Sequence, residues 1–190
     1  MTTIQRDTKE TQIGVSLEVY GRGDHQISTG IGFFDHMLEA FSKHGLLDME
    51  LSCKGDIHID FHHSVEDTGI VIGQALRQEI YPIQNVERYG EATVVMDEAA
   101  VNTALDLSNR PFLHFEVDVC DKIGDFDAEL VEEFFRALCL NAGITAHIVM
   151  LRGKNRHHIV EATFKSFAVA LRRAVARNER IGIPSTKGVL

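Results

Sequence analysis

The chain has 190 residues, of which 44% are hydrophobic, and its formal net charge is −9. This length suits one domain, or two small domains that share a core, and the apolar content is sufficient to bury that core. The acidic balance excludes a broad nucleic-acid surface, because phosphate backbones require a concentrated positive face. A small anionic substrate remains compatible with it, since a local pocket can be basic on an acidic protein.

The N-terminus and the cysteines indicate the cellular compartment of the protein. The first ten residues, "MTTIQRDTKE", contain no apolar signal segment, and no apolar run in the chain reaches the length needed to cross a bilayer. The three cysteines, Cys53, Cys120 and Cys139, are an odd number without CxxC spacing, which favours buried reduced thiols over disulfides or a zinc knuckle. We therefore expect a cytoplasmic protein with no membrane and no nucleic-acid partner.

The first half of the chain has a clear order of predicted elements. Alternating apolar residues predict a strand over 13–19, and the "GRGD" that follows is typical of a turn. Apolar residues at helical spacing predict a helix over 33–41 that Gly45 ends. A strand over about 46–53 follows, and then a helix over about 64–80 that ends before Pro82.

The second half repeats this order after additional strands. Candidate strands cover 91–98, 101–107 and 112–119, followed by a helix over about 128–141, a strand over 144–151 and a long helix to about residue 178. Both halves thus consist of strands, helix, strand and helix. We predict an α+β protein, with one catalytic domain over 1–190 made of two half-domains, about 1–85 and 86–190, each a small sheet with two helices.

A repeated motif supports this duplication. The string "HHSVEDT" at 62–68 returns as "HHIVEAT" at 157–163, and the same shift of 95 pairs the "ALR" at 75–77 with the "ALR" at 170–172. Eight agreements in one register indicate a duplicated structural unit. The first helices of the two halves align with a shift of 97, which places His36 opposite Glu133.

Each HHxxE motif offers three metal ligands. On a helix, residues four apart share a face, whereas adjacent residues diverge by about 100°. His62 and Glu66 can therefore address one ion, and His63 can address another. The second copy offers the equivalent residues His157, Glu161 and His158. Imidazole with carboxylate suits Mn, Fe, Co, Ni or Zn, and the absence of cysteine from the motif disfavours a closed structural zinc site.

The alternative is that these histidines are ordinary surface residues at helix starts, which two copies in register disfavour. The remaining histidines have weaker support. His147, in an apolar strand, is a possible ligand, and His36 is favoured by its place in "FFDHML" and by its alignment with Glu133. Four single histidines are interpreted as solvated or hydrogen-bonded side chains: His25, His44, His58 and His114.

At this point the sequence resembles a known family, the imidazoleglycerol-phosphate dehydratases of histidine biosynthesis. The resemblance runs in order through "RDTKET", "TGIGFFDHMLEAFSKHG", "GDIHIDFHHSVEDTG", "RYG", "MDEA", "ALDLSNRPF", "ELVEEFFRAL", "NAGITAHI", "GKNRHHIVEATFKSFAVALR" and "IPSTKGVL". It implies a duplicated fold like the second domain of ribosomal protein S5. It also implies a homo-oligomeric octahedral shell of 24 subunits, with two Mn²⁺ per active site between subunits.

The resemblance further implies the reaction, the dehydration of D-erythro-imidazole glycerol phosphate to imidazole acetol phosphate through a metal-bound imidazolate and a diazafulvene intermediate. The implied metal ligands are His36, His62, His63, Glu66, Glu133, His157, His158 and Glu161. The catalytic set is these residues without Glu133, together with Glu10, the proposed acid-base residue. The implied substrate-binding residues are Glu10, Arg88, Arg110, Lys165, Ser185, Thr186 and Lys187.

Two positions depart from the family pattern. Many relatives have histidine at the position of Glu133, although a carboxylate can still bind Mn²⁺. Many also have aspartate at the position of Phe61, so that a supporting carboxylate is missing next to the first histidine pair.

Two other functions share parts of this pattern. Paired metals also serve phosphoester cleavage, so a di-metal phosphohydrolase would use similar ligands. A metal-storage or shell-forming protein could use HHxxE sites only to join subunits.

Overall fold

The computed structural model describes residues 1–188. The helices are α1 (Gly32–Gly45), α2 (His62–Ile80), α3 (Leu130–Ala142) and α4 (Arg156–Ala174). The main strands of the first half are β1 (Thr2–Asp7), β2 (Thr11–Glu18), β3 (His25–Ser28) and β4 (Asp48–Gly55). Those of the second half are β5 (Tyr89–Met96), β6 (Ala99–Asp106), β7 (Phe112–Glu116) and β10 (Thr145–Arg152), with a small hairpin of β8 (Lys122–Ile123) and β9 (Phe126–Asp127) before α3.

The two four-stranded sheets have the same topology. The first has the order β1-β2-β4-β3 and the second the order β5-β6-β10-β7. In each sheet the first three strands are antiparallel and the last strand is parallel to its neighbour. This repeat of strand order and direction confirms the predicted α+β fold with two duplicated halves. The boundary predicted near residue 85 stays a prediction.

Several predicted elements end elsewhere in the structure. The last helix, predicted to reach residue 178, ends at Ala174, because Arg177 forms an isolated β-bridge with Val86. The strand predicted over 112–119 ends at Glu116, where its pairing with β10 stops. Strands β1 and β3 were not predicted because they are largely polar. Alternate residues of β1 and a single residue of β3 are half-buried, and the others are exposed. The hairpin β8–β9 was also missed.

The helices of the two halves pack crosswise. Helix α1 packs on α4, and α2 packs on α3, so that the first helix of each half lies against the second helix of the other. Phenylalanines on three helices join this packing: Phe34 contacts Phe134 edge-on at 5.4 Å, and Phe134 stacks on Phe164 at 5.2 Å. Such aromatic pairs each contribute about 0.5–1.5 kcal/mol beyond their buried area. The two halves therefore share one hydrophobic core.

Helices α2 and α3 approach closely because α2 carries glycines four residues apart. A Cβ added at Gly69 would lie 2.7 Å from the carbonyl oxygen of Phe134, and one at Gly73 would lie 2.6 Å from that of Leu138. Both glycines thus face α3, and no larger residue fits there without moving a backbone.

None of the four helices, all within residues 1–188, combines the length and the apolar character that a membrane-spanning segment needs.

We predict that Gly73→Ala destabilises the protein, although alanine is favoured over glycine by about 1 kcal/mol in an exposed helix. Overpacking typically costs about 1–3 kcal/mol, and here the added methyl group meets backbone atoms of α3. The measurement is the urea concentration at half-unfolding. The matched control is Gly32→Ala, since no heavy atom lies within 4 Å of a Cβ added at Gly32. A Gly73→Ala protein as stable as the wild type would contradict the close packing of α2 on α3.

Candidate metal centre and substrate cleft

The crosswise packing brings three metal-ligating side chains together at the start of α4. His157 and Glu161 lie one turn apart on α4, with Nε2 of the histidine 3.0 Å from Oε2 of the glutamate. His36, on α1, places its Nε2 3.6 Å from the same Oε2. Ligand atoms of these three residues lie within 4.8 Å of one another, the one such group found in residues 1–188. Two imidazoles and a carboxylate are a donor set that fits a divalent transition metal.

The carboxylate of this group is buried but ionised. Glu161 is only 6% exposed, and Lys165, one turn further along α4, places Nζ 2.5 Å from its Oε1. Burial by itself raises the pKa of Glu161, but the hydrogen bond and charge of Lys165, with a further contribution from His157, lower it overall. Oε1 is thus occupied by the ammonium group, while Oε2 faces the two histidines.

The motif on α2 is more open. His62 Nε2 lies 3.6 Å from Glu66 Oε2, and both side chains are 45% exposed. Glu133, on the packed helix α3, forms an ion pair with Arg136, whose Nε lies 3.9 Å from Glu133 Oε1. Within residues 1–188, Glu133 does not join His62 and Glu66 in a group of three ligand atoms. The structure therefore assembles the ligands of one motif more completely than those of the other.

The second histidine of each motif is held by a carboxylate from outside the motif. His63 Nδ1 lies 3.0 Å from Asp56 Oδ2, and His158 Nδ1 lies 2.8 Å from Glu98 Oε2. These hydrogen bonds raise the pKa of both histidines, and the one from His158 lowers the pKa of Glu98 to about 2. Sequence reasoning assigned no role to Asp56 and Glu98, although both lie in segments that carry the family resemblance, because only the folded chain brings them to the histidines.

Glu10 lies beside the first of these pairs. It precedes β2 in the turn after β1, and its Oε2 is 3.9 Å from His63 Nε2. The backbone around it is fixed, since its N–H donates to Thr8 Oγ1 at 3.1 Å and its carbonyl accepts from the N–H of Asp56 at 3.1 Å. The side chain is 56% exposed and reaches toward the histidine cluster.

The cationic residues from the second half line an open cleft of about 590 Å³. Arg88, with φ of 67°, is anchored by Asp106, which accepts from Nε at 2.7 Å and from Nη2 at 3.0 Å. The hydrogen bond with Asp106 raises the pKa of Arg88. Arg110 is more exposed, with Nη2 3.9 Å from the same carboxylate. The lining residues are Arg88, Tyr89, Ser108, Asn109, Arg110, Ser185, Thr186 and Lys187.

The C-terminal segment is fixed against this cleft. Arg88 Nη1 donates to the carbonyl of Pro184 at 2.6 Å, and the N–H of Asn85 donates to that of Gly182 at 2.7 Å. Ser185, Thr186 and Lys187 thereby join the two arginines at one site. Val189 and Leu190, the end of the "IPSTKGVL" segment, lie outside the described residues.

Other predicted site residues lie elsewhere. Lys165 does not line the cleft and is bound to Glu161 instead. His147 lies on the exposed face of β10, where its ring centroid is 5.2 Å from that of His114 on β7. Phe61 is the residue before α2 and packs half-buried against the core.

Comparison with known proteins identifies the family. The family model described as imidazoleglycerol-phosphate dehydratase matches residues 29–171. The chain belongs to the imidazoleglycerol-phosphate dehydratase family. It is 68% identical over 188 residues to the imidazoleglycerol-phosphate dehydratase of Campylobacter concisus, covering 98% of this chain and 96% of the relative. It is 64% identical to that of Nitratiruptor sp. over all of both chains.

Solved structures of family members have the same fold. The imidazoleglycerol-phosphate dehydratase of Staphylococcus aureus superposes with a TM-score of 0.82 at 40% identity, covering 93% of this chain and 100% of that one. The Pyrococcus furiosus protein, solved in complex with (S)-C348, gives a TM-score of 0.85 at 39% identity, covering 98% of this chain and 100% of that one. The enzyme described here is therefore similar to these proteins along nearly its whole length.

Proposed function

We propose that the histidine-carboxylate clusters and the cationic cleft act together on one substrate that carries both an imidazole and a phosphate. As a member of its family, the enzyme is a hydro-lyase that catalyses the dehydration of imidazoleglycerol phosphate in histidine biosynthesis. The observation that carries the proposal at the level of residues is the group of His36, His157 and Glu161, which two helices from different halves assemble.

We propose Mn²⁺ as the metal, with two ions per active site. The site fits such an ion: two imidazole nitrogens and an ionised carboxylate oxygen already converge, and Mn²⁺ accepts both donor types. The proposed ligands are His36, His62, His63, Glu66, Glu133, His157, His158 and Glu161. Held by these residues, divalent cations would supply positive charge that stabilises negative charge developing on the imidazole ring of the substrate.

In this proposal, different residues of the chain bind the substrate and transfer the proton. The histidines and glutamates orient the imidazole ring, and Glu10 moves the proton that leaves the substrate carbon. Its fixed backbone and exposed carboxylate suit a group that must reach the substrate and release the proton again. The diazafulvene route implied by the resemblance is part of this proposal.

The phosphate is assigned to the cleft. Arg110 offers a forked donor for a phosphate, and Arg88, whose Nε and Nη2 already bind Asp106, adds positive charge. The C-terminal segment adds the hydroxyl groups of Ser185 and Thr186 and the ammonium group of Lys187. We include Lys165 in the substrate-binding set, although in this chain it neutralises Glu161. The cleft and the three-ligand group are formed by different residues of one chain.

We also propose a homo-oligomer, a 24-subunit octahedral shell, whose active sites lie between subunits. Three ligand atoms do not complete the octahedral coordination that Mn²⁺ prefers. His158 directs Nδ1 to Glu98 and leaves Nε2 available for an ion outside its own cluster. Ligands from a second copy would complete each site. All three cysteines are free, which is compatible with the proposed cytoplasmic location, but only Cys53 and Cys139 are buried as expected, whereas Cys120 is exposed.

The alternatives make different products. A di-metal phosphohydrolase would release inorganic phosphate from imidazoleglycerol phosphate, whereas the dehydratase forms imidazole acetol phosphate. A storage or scaffold protein would form neither. Assaying both products from the purified, metal-loaded protein separates the three functions.

Glu10→Gln tests the acid-base role, because it keeps the shape of the side chain while removing its basicity. General acid-base groups typically contribute about 10²–10⁴ in rate, or roughly 3–5 kcal/mol of barrier. We expect a loss of kcat in that range, with near-normal metal content and substrate affinity. Steady-state kinetics and metal analysis measure both.

Glu161→Gln and Glu66→Gln are the contrasting variants, since they should lose metal together with activity. A Glu10→Gln enzyme that keeps more than about a tenth of the wild-type kcat would show that another group moves the proton.

Deleting residues 185–190 tests the role of the C-terminal segment. The deletion removes three residues that line the cleft but none of the proposed metal ligands. We therefore expect KM to rise strongly while the metal content is unchanged. Lys43→Gln, which removes one exposed positive charge on α1 outside the cleft, serves as the charge control. Normal kinetics in the truncated enzyme would refute the phosphate-binding role of this segment.

Removal of the metal tests the link between metal binding and assembly. If each ion joins ligands from different subunits, complete chelation should reduce the particle size, and restoring Mn²⁺ should recover it. Light scattering measures the size, and elemental analysis shows that removal is complete. An unchanged particle after complete removal would show that the metals do not bridge subunits.

A further inference from the structure

We infer that Asp56 and Glu98 are positioning residues, which fix the ring orientation and the tautomer of His63 and His158 so that each presents Nε2 to a metal ion. The inference rests on the proposed metal-binding role of these two histidines. It assigns a function to two carboxylates that belong neither to the HHxxE motifs nor to the cationic cleft.

The two histidines of each motif are held in different ways. The first histidine faces the glutamate of its own helix through Nε2, at 3.0 Å for His157 and 3.6 Å for His62. The second histidine faces a carboxylate from elsewhere in the fold through Nδ1, at 3.0 Å for His63 and 2.8 Å for His158. This division is the same on both motif helices.

The Nδ1 contact determines what the other nitrogen can do. A neutral imidazole carries one N–H, so an Nδ1–H that donates to a carboxylate leaves Nε2 as a lone-pair donor. The carboxylate also holds the ring in one orientation and makes Nε2 more basic, which strengthens a bond to a metal ion. The same histidine without this partner would distribute its proton between both nitrogens.

Glu98 is itself rigidly held, as a positioning residue must be. Its Oε1 accepts the N–H groups of Asn155 at 2.7 Å and Lys154 at 3.1 Å, which leaves Oε2 for His158. Asn155 in turn caps α4 by accepting the N–H groups of His157 and His158. Glu98 thereby ties the β5–β6 turn to the first turn of α4.

Asp56 occupies a different place in the fold. It directly follows β4, and its N–H donates to the carbonyl of Glu10 at 3.1 Å. The sequence repeat does not relate it to Glu98, since shifts of 95 and 97 from Asp56 lead to Leu151 and Gly153. The turn in the first half that corresponds to Glu98 holds Glu10, which approaches the opposite nitrogen of His63.

The two halves thus reach the same Nδ1 contact with residues that duplication did not supply in equivalent positions. Simple inheritance from one ancestral half does not account for this. The similarity is explained if both histidines must present Nε2 to a metal ion, as the proposed function requires.

The test measures Mn²⁺ retention in Asp56→Asn and Glu98→Gln. The purified Mn²⁺-loaded proteins are equilibrated with a graded series of chelator, and bound Mn²⁺ is counted by elemental mass spectrometry. Loss of an outer carboxylate partner of this kind typically weakens metal binding about 10- to 100-fold, and we expect a shift of that size in the apparent Kd. Glu98→Ala should be affected more than Glu98→Gln, since the amide oxygen can still accept from Nδ1.

The matched controls remove a similar charge without touching Nδ1. Asp118→Asn removes an exposed carboxylate that lies on neither motif helix. Asp60→Asn removes the carboxylate that accepts the N–H of His62. Both controls should retain Mn²⁺ within about five-fold of the wild type, the upper end of what exposed charge interactions contribute.

Urea unfolding at saturating Mn²⁺ supplies a second measurement, in which the variants should lose only the stability that their weaker Mn²⁺ binding accounts for. Variants that unfold earlier but retain Mn²⁺ normally would show that the carboxylates only support the fold, and would overturn the inference. Controls that lose Mn²⁺ as strongly as the test variants would also overturn it. A wild-type protein that binds no Mn²⁺ would instead refute the proposed metal role, and this inference with it.

Discussion

The crosswise packing of helices between the two halves is the constraint on which the site depends. Each HHxxE motif occupies the start of the second helix in its half, and that helix packs against the first helix of the other half. His36 can approach His157 and Glu161 only because α1 lies on α4. The phenylalanine contacts that fix this packing are therefore also what fixes the distance between ligands from separate halves. The core packing of this protein therefore determines the geometry of the candidate site.

The duplication gives the halves the same framework without making them equal. The sheets match strand for strand, yet one motif helix carries a buried glutamate balanced by a lysine, and the other carries an exposed glutamate. Where α1 contributes His36, α3 contributes Glu133, which pairs with Arg136. Duplicated halves thus present two histidine-glutamate pairs that differ in charge balance and solvent access.

The sequence predicted the elements whose pattern is local. The HHxxE spacing placed a histidine and a glutamate on one helical face, and apolar periodicity located all four helices to within a few residues. Strand β1 was not predicted because the half-buried edge of a sheet does not require apolar residues at alternate positions. The roles of Asp56 and Glu98 were not predicted because a carboxylate in a turn has no periodicity, and only the folded chain brings it to a histidine.

The lysine beside Glu161 has a consequence for charge. With neutral histidines, the group of His36, His157, Glu161 and Lys165 sums to zero, from one negative and one positive residue. A divalent cation entering such a neutral setting leaves an uncompensated double positive charge in a partly buried place. The bound substrate would then compensate this positive charge, through an ionised ring or a phosphate. A chain of net charge −9 can in this way bind an anion beside a group whose own charges already cancel.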